Sequence, residues 1–121
     1  MKISHTTCNV ENHTDRTKAV RISKVRVDMR SARTWIPGTG LQKIEVVKEK
    51  DETFTLPSGE IVTRSVGFAI LRVGGSFTID EVVFAEPGDL ALLGARTLEG
   101  LNLTVDSTRK RLVAAGPLPA A

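Results

Sequence analysis

From Ala19 to Val27 apolar side chains stand almost strictly two apart, at Val20, Ile22, Val25 and Val27, with Arg21, Ser23, Lys24 and Arg26 between them. Successive side chains of an extended chain point to opposite faces, so a period of two separates an apolar face from a charged one, whereas a helix would mix them. The segment therefore reads as a strand, and its one slip, at Ser23-Lys24, predicts a β-bulge. Pro37-Gly38 and Gly40 end the next element near Trp35-Ile36. Residues 44–55 (Ile44, Val46, Val47, Phe54) and 61–73 (Ile61, Val62, Val66, Phe68, Ile70, Val73) are β-branched and aromatic, and Pro57-Ser58-Gly59-Glu60 between them suits a tight reversal. Gly74-Gly75 turns the chain into Phe77, Ile79, Val82, Val83 and Phe84, and Glu86-Pro87-Gly88-Asp89 breaks it again. After the short apolar run Leu90 to Leu93, residues 95–100 have the composition of a brief helix stopped by Gly100. Leu101, Leu103 and Val105 then alternate with polar partners, Asp106-Ser107 turns, and Leu112-Val113 offers a last strand. About six or seven short strands with hairpin punctuation and one small helix predict a mainly β barrel or sandwich.

The chain has 121 residues, enough for one domain whose core needs no disulfide or metal staple. Residues 1–18 are polar and read as an N-terminal arm, residues 19–115 as the folded domain and 116–121 as a C-terminal tail. A lone Cys8 has no internal disulfide partner, and Met1-Lys2-Ile3-Ser4-His5 lacks the apolar run of a signal peptide, so a reducing cytoplasm is the expected setting. No apolar stretch approaches a bilayer span, and no membrane partner is expected. His5, Cys8 and His13 match no zinc spacing, so neither a metal nor another cofactor is expected.

Charge is unevenly spread. Residues 1–33 carry eight Lys/Arg against three acids, residues 34–108 carry six against eleven, and Arg109, Lys110 and Arg111 follow. The basic stretch Arg16, Lys18, Arg21, Lys24, Arg26, Arg30 and Arg33 raises the reading of a binding module for a nucleic-acid or acidic partner. Aromatic poverty argues against nucleic acid: Trp35, Phe54, Phe68, Phe77 and Phe84 are expected inside, which leaves little for bases to stack on. Arg21, Lys24 and Arg26 are expected to form the solvated face of one strand.

The string Val25-Arg26-Val27-Asp28-Met29-Arg30-Ser31-Ala32-Arg33-Thr34-Trp35-Ile36-Pro37 resembles the active-site strand and loop of small bacterial retropepsin-like aspartic peptidases, which typically read Val-Asp-Thr-Gly-Ala and, shortly after, Thr-Trp-Ile-Pro. Leu56-Pro57-Ser58-Gly59-Glu60 falls where that family has its substrate-binding flap, and residues 82–89 match its strand before the second motif. Leu92-Leu93-Gly94-Ala95 matches the hydrophobic-hydrophobic-Gly signature, and Thr97-Leu98-Glu99-Gly100-Leu101 the helix behind it. The resemblance covers about residues 19–115 and implies a small closed β barrel with one short helix. It also implies a homodimer in which each protomer supplies one catalytic Asp, here Asp28, with peptide or protein as substrate. Two carboxylates held close cannot both ionise, so they share a proton, one acting as base on water and the other as acid on the carbonyl; aspartic proteases are the standard example of this splitting.

The sequence departs from the family where the chemistry lies. Met29-Arg30 replaces Thr-Gly, so the hydroxyl that braces the two loops of the family's dimer is missing. Arg30 puts a guanidinium within reach of Asp28, which would favour an ionised carboxylate over a shared proton. Ser31 offers a hydroxyl in a different register. Asp28 alone also suits a plainer role, capping a turn through its own backbone. Trp35 is expected in the core, and Gly94 is expected to let the Leu92-Leu93 strand pack against the Asp28 loop. The combined expectation is a retropepsin-like homologue with impaired hydrolysis, against the alternatives of a non-catalytic structural dimer or a binding module.

Overall fold

The computed structural model describes residues 5–121, which form nine strands and two short helices: β1 (His5–Glu11), β2 (Ala19–Val27), β3 (Thr34–Pro37), α1 (Gly38–Lys43), β4 (Lys50–Thr55), β5 (Ile61–Val73), β6 (Ser76–Ala85), β7 (Leu92–Leu93), α2 (Ala95–Gly100), β8 (Leu103–Asp106) and β9 (Arg111–Ala114). The protein is mainly β. Among the described residues no helix is long and apolar enough to cross a membrane.

Seven strands pair in the order β1-β2-β7-β3-β6-β5-β4, and β1 also pairs with β5. The neighbours β1, β2, β7, β3, β6 and β5 thus close a circuit, with β4 hanging from β5 outside it. Most pairings are antiparallel, but β2 runs parallel to β7 and β3 parallel to β6. The remaining two strands, β8 and β9, make a separate hairpin. Inside the circuit lies the main core, with Val10, Val25, Ile36, Leu41, Leu71, Val82, Leu93 and Leu98 almost wholly buried. A second, smaller apolar cluster of Trp35, Val66, Val83, Ala85 and Leu92 is covered by Phe54, Leu56 and Val62.

The slip at Ser23-Lys24 is a bulge. Thr6 pairs with Val25 and Cys8 with Ile22, so two residues of β2 face one of β1, and Lys24 takes φ +56° to accommodate the extra residue. The hairpins at 57–60 and 74–75, the break at 86–89, and the helix at 95–100 also lie where the turn residues and glycines place them.

Several expectations need correction. Residues 5–11 are not an arm but a strand at the heart of the sheet, because Cys8 and Val10 suffice to bury one face of it. Asn12 anchors its end: the side-chain amide donates to the Ile44 and Glu45 carbonyls (2.9 and 3.1 Å) while Oδ1 accepts from Thr14 and Asp15. A second helix, α1, occupies the Gly38–Gly40 stretch read as a break, and buries Leu41. Residues 44–49 are not strand; Ile44 and Val46 are buried from the loop that follows α1, and the strand starts only at Lys50. Phe68 and Phe77 are exposed on the outer face of the β5–β6 hairpin, where the Arg72 guanidinium lies over the Phe77 ring at 4.8 Å.

Candidate functional site

Asp28 follows directly on β2, where the parallel pairing of Arg26 with Leu92 and Val27 with Leu93 ends. Its N–H continues that ladder by donating to the Leu93 carbonyl at 3.0 Å, and its own carbonyl accepts from Ser31 N–H at 3.2 Å, so the chain turns at once. The loop then nests on the junction between β7 and α2: Ala95 N–H donates to the Ser31 carbonyl at 2.7 Å. Gly94 permits the contact, because a Cβ there would stand 2.3 Å from the Arg33 carbonyl oxygen and 2.7 Å from that of Ser31. The packing role expected of Gly94 is what the geometry requires.

Asp28 is gripped by its neighbour. Arg30 donates from Nε to Oδ1 and from Nη2 to Oδ2, each at 3.0 Å, and its backbone N–H also donates to Oδ1 at 3.0 Å. Both carboxylate oxygens are thus engaged, and the turn-capping and ion-pair readings of Asp28 hold together. The Arg30 guanidinium bonded to the side chain keeps the Asp28 carboxyl below the usual carboxylate range. Asp28 is 15% exposed and Arg30 80%, so the carboxylate sits in the loop under a guanidinium lid. Met29 points outward and is exposed. Ser31 does not serve as a substitute brace, since its hydroxyl donates to the Arg33 carbonyl at 2.8 Å.

Behind the loop runs a chain of hydroxyls to which the sequence assigns no role. Thr34 and Thr97 are fully buried, and their hydroxyls bond each other. Gly94 N–H donates to Thr34 Oγ1 at 3.0 Å, and Thr97 Oγ1 donates to Asp80 Oδ2 at 2.9 Å. With Thr97 donating to the carboxylate, Thr34 donates to Thr97 and accepts from Gly94, so every member is satisfied. Residues 63 positions apart meet here, beyond the reach of any local pattern.

Trp35 is 6% exposed and sits in the smaller apolar cluster, as expected of a core aromatic. Phe54 lies against it, ring centroids 4.9 Å apart and planes at 62°, and so docks the hairpin carrying Leu56, Pro57, Ser58 and Gly59 onto the body of the fold. At the tip, Gly59 N–H donates to the Leu56 carbonyl and Leu56 N–H to that of Glu60, both 2.8 Å, with Gly59 at φ +89°. Lower down, Arg64 ties β5 to the turn after β6 through two bonds to Asp89, 2.7 and 3.1 Å, which hold the Asp89 carboxyl below its ordinary range.

An open cleft of about 710 Å³ separates Ala32 and Arg33 from β4, with Thr63 and Arg96 contributing to its walls. Four consecutive residues of β4, 51–54, line it, so the strand meets the cleft edge-on. Among the described residues that edge has no strand partner. Arg33 is bound to Glu52 by two bonds of 3.1 Å and lies 2.7 Å from Glu81, and Lys50 reaches Glu81 at 2.9 Å. Of the basic stretch, Arg16, Lys18, Arg30 and Arg33 are ion-paired, which leaves less free positive charge than the sequence count suggests. Among the described residues no three His, Cys, Asp or Glu side chains converge as a metal would require.

No protein-family model matches the chain, and no curated protein is significantly similar to it.

Proposed function

We propose that this chain is a retropepsin-like aspartic peptidase homologue whose Asp28 site is impaired. Its ancestral activity is hydrolysis of peptide bonds by a pair of Asp28 carboxylates in a homodimer, and its barrel is of the retropepsin type. The observation that carries the reading is the two-point grip of Arg30 on Asp28, in a loop seated on Gly94 as a catalytic loop would be. An acid–base pair needs one proton shared between two carboxylates, and a guanidinium bonded to both oxygens stabilises the ionised form and competes with water for each of them. Peptide remains the fitting ligand class. The edge-on strand β4 beside the cleft offers backbone groups to which an extended chain can add.

The homodimer belongs to the same proposal, since one Asp28 per protomer makes a pair only across a two-fold axis. Light scattering at high micromolar concentration is expected to give twice the protomer mass. A cytoplasmic setting is proposed with it, in keeping with a buried free thiol at Cys8.

The test of the chemistry is the double change Met29→Thr with Arg30→Gly, assayed beside the native chain on an unfolded, casein-like substrate at acidic pH. The double variant is expected to cleave where the native chain does so weakly or not at all, and adding Asp28→Asn is expected to abolish that gain. No cleavage by a folded, dimeric double variant would overturn the peptidase reading in favour of a non-catalytic structural dimer.

A further inference from the structure

We infer that the outer face of the β5–β6 hairpin docks an amphipathic helix of a partner protein, one whose apolar stripe is flanked by carboxylates. Phe68 and Ile70 on β5 share this face with Phe77 and Ile79 on β6, because directly paired residues of an antiparallel ladder point the same way and residues two apart follow them. Phe77 and Ile79 are 54% and 61% exposed and Phe68 37%, and none of the three belongs to either apolar cluster of the core. Ile70, paired with Ile79, is buried and joins them into one patch. An apolar sheet face is ordinarily covered by a helix or a second sheet, and this one stands open to solvent.

Charge says what the partner carries. The registers of β6, β5, β1 and β2 set Phe77, Arg72, Asn9 and Arg21 side by side in one row across the four strands. Adjacent strands lie about 4.8 Å apart, so the backbone of Arg21 stands roughly 10 Å from that of Arg72, on the side away from Phe77. Arg16 reaches the same place from the turn after β1, its guanidinium 5.8 Å from the centre of the Phe77 ring. Glu11 pairs with both Arg16 and Arg72, at 3.2 and 3.0 Å, whereas Arg21 is exposed and has no ion pair among the described residues. Three guanidiniums thus meet one carboxylate, and the surplus positive charge runs along one flank of the patch. A helix whose apolar side chains cover Phe77 and Ile79 and whose carboxylates follow the row from Arg72 to Arg21 matches both features. A second copy of this chain fits less well, because it brings the same surplus and no unpaired carboxylate on this face to meet it. A nucleic acid fits less well too. The Arg16 and Arg72 guanidiniums already lie over the Phe77 ring, His13 stands at right angles to Phe68, and the exposed aliphatic Ile79 gives a base nothing to stack on.

The experiment titrates the native protein with three monomeric helical peptides that share one leucine stripe and carry Glu, Gln or Lys along one flank of it, and follows backbone amide shifts. The Glu peptide is expected to move the amides of residues 68–72 and 77–79 and to bind roughly tenfold more tightly than the Gln peptide, with the Lys peptide weakest. Phe77→Ser with Ile79→Ser is expected to weaken the Glu and Gln peptides alike by roughly tenfold or more, since it removes the apolar contact both use. Arg21→Glu is expected to erase the preference for Glu and leave the Gln peptide unchanged. Both variants change exposed side chains and are checked for a native amide spectrum. None of these outcomes depends on cleavage at Asp28. No shift at this face with any of the three peptides at millimolar concentration, or a preference for Glu that survives Arg21→Glu, would overturn the inference. A short oligothymidylate that binds the face more tightly than the Glu peptide would overturn it in favour of nucleic acid, and a protein dimer that dissociates on the double change would overturn it in favour of a second copy.

Discussion

Gly94 and Arg33 approach so closely that a Cβ on Gly94 would lie 2.3 Å from the Arg33 carbonyl oxygen and 2.6 Å from its carbon. The backbone of Gly94, φ −92° and ψ 176°, is open to any residue, so the glycine is demanded by space alone. The obstacle is backbone, which cannot swing away as a long side chain can. Gly94→Ala is therefore expected to lower stability by about 2–3 kcal/mol through overpacking and to displace the Asp28 loop. Urea unfolding with a midpoint indistinguishable from the native one would refute this.

Asp28 titrates below its ordinary range because Arg30 is bonded to it, and the sign of the pH effect follows. A carboxyl whose folded pKa is depressed stabilises the fold above its unfolded value, about 3.9, and loses that contribution as pH falls through the folded value. Arg30→Gln should raise the Asp28 pKa toward normal, visible in a carboxyl carbon titration by NMR. Because Arg30 is 80% exposed, water screens the pair, and the stability difference at neutral pH should be small and shrink further as pH falls below about 4. An unchanged Asp28 titration in the variant would contradict the two-point grip.

The hairpin tip at 57–60 is exposed, whereas its base is held by Phe54 on Trp35 and by Arg64 on Asp89. Its amides are expected to exchange hydrogen well before those of Leu92 and Leu93, as suits a segment able to lift from a cleft. Phe54→Ala should spread fast exchange into β4 and the first residues of β5 at a cost of about 1–2 kcal/mol, since it removes an aromatic pair and half-buried area. Protection at the tip equal to that of β7 would exclude it as a lid.

Cys8 is wholly buried, and burial pushes its thiol up to about 12. Since the thiolate is the reacting species, labelling by a disulfide reagent at pH 8 should require unfolding and follow the rate of global opening. Rapid modification under native conditions would show that β1 opens independently of the rest.

Local alternation and its punctuation are legible in the chain alone. Period two at 19–27, the β-branched and aromatic runs within 61–73 and 77–84, the turn residues at 57–60 and 74–75, and even the bulge at Lys24 are written in neighbouring residues, because strand preference and turn geometry act over a few positions. The grip of Arg30 on Asp28 was legible for the same reason, as the two are two residues apart. Tertiary structure decided the rest. Segment 5–11 looks polar in isolation, yet it joins the sheet because β2 and β5 offer it two edges at once and Cys8 and Val10 complete a core supplied by others. The Thr34–Thr97–Asp80 chain and the pairing of Arg33 with Glu52 depend on which strands become neighbours. A hydrogen bond across 63 residues leaves no periodic trace in the chain that makes it, because it forms only once the fold has brought both partners together.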